Sequence, residues 1–141
     1  MAKPTQKKVI AGLRETARVA AAMVDGDVLT RVISERAMHY LKNPDPQFRY
    51  MAGDYYDVDH ASFLLLKKTL LRLQRLVDFP CDSSLWQVVP GQEDHVTLVV
   101  QNGSLHRYYK WAERTHEMPA EMKECVSGGE VTAAPEDEDR I

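Results

Sequence analysis

The periodicities along this chain predict an α+β domain: N-terminal helices (three), then a three-stranded antiparallel meander, then a short C-terminal helix. Apolar residues recur at helical spacing as far as Val77, and alternation replaces that spacing after Phe79-Pro80. An Asn102-Gly103 pair then stands between two alternating runs, the strongest short hairpin signal a sequence offers. With 141 residues, 44% of them hydrophobic, the chain has the size of one domain and can bury a core without disulfide or metal.

The first helix is expected from about Thr5 to Val24, where Val9, Ile10, Leu13, Ala17, Ala20, Ala21 and Val24 share a face. Asp25-Gly26 ends it, and Asp27 is placed to cap a second helix carrying Val28, Leu29, Val32, Ile33, Ala37, Tyr40 and Leu41. Asn43-Pro44 stops that helix, because proline disfavours the helical state in the residue before it. Asn43 to Asp57 reads as an irregular connection. Its four aromatics, Phe48, Tyr50, Tyr55 and Tyr56, are too many for a linker, so some are expected to pack against the helices.

The third helix, near Asp59 to Val77, carries Phe63, Leu66, Leu70, Leu73 and Val77 on one face. Leu64 and Leu71 widen the apolar stripe, which predicts a central helix buried on more than one side. Strands are expected at Ser84 to Val89, His95 to Gln101 and Ser104 to Trp111, with Pro90 to Asp94 as the first connection. A last helix falls near Pro119 to Cys125. Residues 1–127 are thus read as a single α+β domain and 128–141 as a disordered acidic tail. The tail holds five acids against Arg140, a net of −4, which leaves the rest of the chain at +1.

Several function classes find no support. The longest uninterrupted apolar run, Phe63 to Leu66, is far short of a membrane span. Lys3, Lys7 and Lys8 lead into an amphipathic pattern rather than a secretory signal, and two cysteines fit a reducing compartment. A cytoplasmic protein without membrane attachment is therefore expected. Asp57, Asp59 and His60, with Asp54 nearby and Glu35 and His39 on the second helix, hold the residue types for a metal or a general base. Capping of the third helix by Asp57 or Asp59 accounts for the same acids. Cys81 follows a helix C-terminus, where the negative end of the dipole raises a thiol pKa, and every glycine before the tail is isolated. No enzyme and no cofactor is expected.

Binding has more to build on. Lys68, Arg72 and Arg75 fall at i, i+4 and i+7 of the third helix, which has no acid between His60 and Val77. Together with Lys110 of the last strand they form a candidate phosphate-contacting set. Helices followed by a hairpin resemble a winged helix, which implies nucleic-acid binding by the third helix and the hairpin. The chain departs from that pattern in having no strand between its first helices and a more leucine-rich third helix.

A second resemblance covers less than half of the chain. The leucine-rich helix running into Cys81-Asp82-Ser83-Ser84-Leu85-Trp86-Gln87-Val88-Val89 is similar to the opening of GAF-like sensor domains. It implies a small-molecule pocket lined by Trp86, Tyr109, Trp111 or the loop tyrosines. The leading expectation is a non-catalytic binding or regulatory protein that meets a protein partner, or a second copy of itself, through Arg107, Tyr108, Tyr109 and Trp111. Arg, Tyr and Trp are the residue types that carry binding energy at interfaces, and the last strand would offer a sheet edge.

Overall fold

A computed structural model describes residues 5–47, 57–102 and 111–128. Helices α1 (Gln6–Met23), α2 (Gly26–Arg31), α3 (Glu35–Lys42) and α4 (His60–Leu73) precede strands β1 (Ser84–Val89), β2 (Gln92–Gln101) and β3 (Thr115–Glu117). Helix α5 (Ala120–Val126) follows the sheet. The strands pair antiparallel in the order β1-β2-β3, so the chain is α+β with helices first, a meander next and a short helix after it.

The second predicted helix is two helices. Asp25, not Asp27, caps the first of them, accepting a 2.9 Å bond from the Asp27 N–H. The break falls at Val32-Ile33-Ser34, where Ile33 forms an isolated antiparallel bridge with Val58. Backbone bonds from Ser34 N–H to the Asp57 carbonyl (3.0 Å) and from Asp59 N–H to the Val32 carbonyl (2.8 Å) take the groups a continuous helix would have used. Two β-branched residues followed by serine favour that exchange, and Ser34 restarts the helix by accepting from Ala37 N–H at 3.0 Å.

Helix α4 matches its expected position and ends in a 3-10 turn, Gln74–Leu76. Phe63, Leu66, Leu70 and Leu73 are buried with Val32, Ile33, Ala37 and Leu41 from the first helices and Val89, Val99 and Val100 from the sheet. Burying each such side chain stabilises the fold by roughly 1.5–3 kcal/mol. Along α1, Gly12 lets the helix approach the segment after α4. A β-carbon there would lie 2.8 Å from Phe79 Cζ and 2.9 Å from Val77 Cγ1.

Strand β2 begins earlier than the alternation indicated. Val89 pairs with Gln92 across Pro90-Gly91, with Gly91 at φ +84°, the conformation a tight turn needs at its second central residue. Farther along, Leu85 pairs with Val100 and Trp86 with Leu98, leaving Val99 as an extra residue. That bulge turns both Val99 and Val100 into the core, although neighbouring strand residues normally point to opposite faces.

Among the described residues the third strand is Thr115–Glu117. Of the predicted strand from Ser104 to Trp111, residues 104–110 lie outside the described residues. Trp111 opens a 3-10 turn, Trp111–Arg114, and is fully buried. Asn102 acts as a clamp: its side chain donates to the Cys81 carbonyl and accepts from Ser83 N–H, both at 3.1 Å.

Asp59 caps α4 by accepting from Ser62 N–H at 3.1 Å. That backbone bond, with the Ser62 hydroxyl next, holds its carboxyl below the usual carboxylate range. A depressed folded-state pKa gives stability that is full above the ordinary carboxylate value and is lost as pH falls through the folded one. The difference in melting temperature between the wild-type chain and Asp59→Asn should therefore shrink from pH 7 to pH 3. A gap independent of pH would mean that the charge contributes nothing.

Candidate interaction surface

Helix α4 presents two unlike faces. With 3.6 residues per turn, Phe63, Leu66, Leu70 and Leu73 fall on the core side. Going round the opposite side, the order is Leu71, Leu64, Lys68, Arg72 and Leu65, all exposed. Leu64, Leu65 and Leu71 are 55%, 56% and 42% exposed. Arg75 and Leu76 continue the mixture into the 3-10 turn. The helix is thus buried on one side only, a correction to the wide core stripe expected from its leucines.

Lys68, Arg72 and Arg75 share this face, as their spacing required. Among the described residues none of the three enters an ion pair. Lys67, at the edge of the face, is used elsewhere. Its ammonium donates to the Gln101 carbonyl, tying α4 to the end of β2, and desolvation followed by the nearby Arg114 charge lowers its pKa.

The acids near the start of α4 do not converge. The buried Asp57 carboxylate accepts from the Ser34 hydroxyl at 2.9 Å and pairs with Arg36. Asp59 is the cap and His60 the first helical residue. Among the described residues no group of three or more His, Cys, Asp or Glu is placed to hold a metal ion, Glu35 and His39 included. The Cys81 thiol is pushed up, by burial first and the Asp82 charge second rather than by the helix dipole expected from its position.

Of the aromatic and basic residues expected to meet a partner, Arg107, Tyr108, Tyr109 and Lys110 lie outside the described residues. Trp111 packs inside the core. The other tryptophan, Trp86, follows Leu85, whose side chain packs on that core, so the pleat directs it to the other face of the sheet. There it tilts against His116 at 6.3 Å between ring centroids and donates to the Ser84 hydroxyl. The two tryptophans therefore do not line one pocket.

Leu64 and Leu71, expected to widen the core stripe, are exposed instead. A usable signal was present: Lys68 and Arg72 fall inside the arc spanned by Leu71, Leu64 and Leu65, and a face with cations at its centre is not a core face. Among the described residues no helix is long and apolar enough to cross a membrane. Compared with protein-family models, curated proteins and solved structures, the chain matches none.

Proposed function

We propose that this chain is a non-catalytic binding protein that works by docking the outer face of α4 on a protein partner. The supporting observation is the set of three leucines, Leu64, Leu65 and Leu71, left 42–56% exposed around two cations. Scattered exposed apolar residues are ordinary on any protein. Three on one helical face, with Leu76 following, form a patch whose burial by a partner would be worth roughly 1 kcal/mol or more per leucine. The face is also pre-organised. Phe63, Leu66, Leu70 and Leu73 anchor its other side, so little ordering entropy opposes binding.

The same cations suit phosphates, which is the substance of the nucleic-acid alternative. The leucines on both sides of them favour the protein. A sugar-phosphate backbone gives leucine nothing and would lose hydration against it, whereas a protein helix offers both charge and apolar surface.

A photo-cross-linking residue in place of Leu65 tests the reading in extract of the host cell. A discrete protein adduct is expected, and Leu71→Lys should abolish it while changing stability by no more than about 0.5 kcal/mol. Adducts that persist in Leu71→Lys, or adducts with nucleic acid alone, would sink the proposal.

A further inference from the structure

We infer that the occupant of the α4 face is an acidic amphipathic helix of a partner protein. This rests on the reading of α4 as the docking surface and names the chemistry it takes. Round the helix the cations sit in the middle, Lys68 and Arg72, with Leu71 and Leu64 on one flank and Leu65 on the other. Arg75 extends the charged row over about 10 Å of helix axis, at a rise near 1.5 Å per residue. The complementary surface is a row of carboxylates at i, i+4 and i+7 with apolar residues on both sides. Closing the leucine flanks would exclude water from the central ion pairs, where charge-charge attraction strengthens as the local dielectric falls.

Other occupants fit this order of residues less well. A second copy offering the same face would set cations against cations. A membrane surface takes helices with apolar residues at the centre and cations at the rim, and here the order is reversed. The chain's own acids, Glu136 to Asp139, are four in succession, so they cannot all lie on one helical face.

The test uses the full chain and a labelled synthetic peptide of about five turns, with glutamate at i, i+4, i+7 and i+11 and leucine on either side of that row. The control peptide has the same composition permuted so that no stripe forms. By fluorescence anisotropy at low salt the striped peptide should bind at least tenfold tighter than the permuted one. Lys68→Glu with Arg72→Glu, and separately Leu64→Ser with Leu65→Ser, should each weaken it tenfold or more with an unchanged circular dichroism spectrum. Equal binding of the two peptides overturns the inference. So does tighter binding to a 20-base-pair duplex or to phosphatidylserine vesicles than to the striped peptide. Binding that emerges only when Glu136, Asp137, Glu138 and Asp139 are changed to amides would make the chain's own acids the occupant, and also overturns it. If the peptide fails while the Leu65 cross-link still depends on Leu71, α4 remains the docking face and only the acidic chemistry falls. Loss of both results removes both readings.

Discussion

Replacing Trp111 with alanine is expected to lower the unfolding free energy by about 3–5 kcal/mol, the range for deleting a large buried ring. Trp111 has no exposed surface and packs in one cluster with Leu70, Val99 and Val100. The Arg114 guanidinium lies 5.4 Å from its ring, and the Thr115 hydroxyl donates to its carbonyl at 2.7 Å. That hydroxyl also meets Thr97 across the sheet, so the tryptophan sits where the last strand is fastened to β2. Against a total stability of roughly 5–15 kcal/mol for a typical domain, the loss would leave little. Trp111→Phe should recover more than half of it. Urea unfolding of the two variants measures both numbers. A loss below about 1 kcal/mol for the alanine variant would return this residue to the exposed aromatic set in which its sequence neighbourhood placed it.

Asp57→Ala is expected to cost about 3 kcal/mol, the lower end for removing one partner of a buried ion pair. The carboxylate is almost fully buried, whereas the Arg36 side chain is 48% exposed and can turn its charge to water. The change also takes the acceptor from the Ser34 hydroxyl, which itself caps α3. Damage should therefore concentrate at the junction between α3 and the residues leading into α4. Amide exchange at Ala37 and Met38, whose N–H groups bond to Ser34, should accelerate more than exchange at Leu70 in the centre of α4. Uniform acceleration would mean that Asp57 acts on the whole fold and not on that junction.

Helices and strands were legible where their own periodicity decided them. Phe63, Leu66, Leu70 and Leu73 mark the core face of α4, and β1 spans the expected Ser84 to Val89. The break between α2 and α3 was not legible, because the bridge that replaces helical bonds there comes from Val58, a partner distant in sequence. Strand pairing has the same non-local character. His116 and Thr115 carry no local alternation comparable to that of residues 104–111, yet they are the residues that pair with Val96 and Thr97. The candidate surface was half legible. The cations announce themselves by spacing, but a leucine at the same spacing reads as core until the arrangement of neighbouring elements shows which side of the helix is covered.

The extra residue at Val99 has a consequence for how this chain tolerates insertions and deletions. Everything after the bulge is set half a pleat out of phase with everything before it. Removing Val99 would restore regular alternation and leave Val100 opposite Leu85, because Leu98 and Val100 already pair with the consecutive residues Trp86 and Leu85. Asn102 would keep its side of the strand and its bonds to Cys81 and Ser83, and the loss would be the buried Val99 side chain and the bend that the bulge gives β2. Length at this one position is therefore constrained less tightly than in the regular ladder on either side, where losing one residue would reverse the faces of its neighbours.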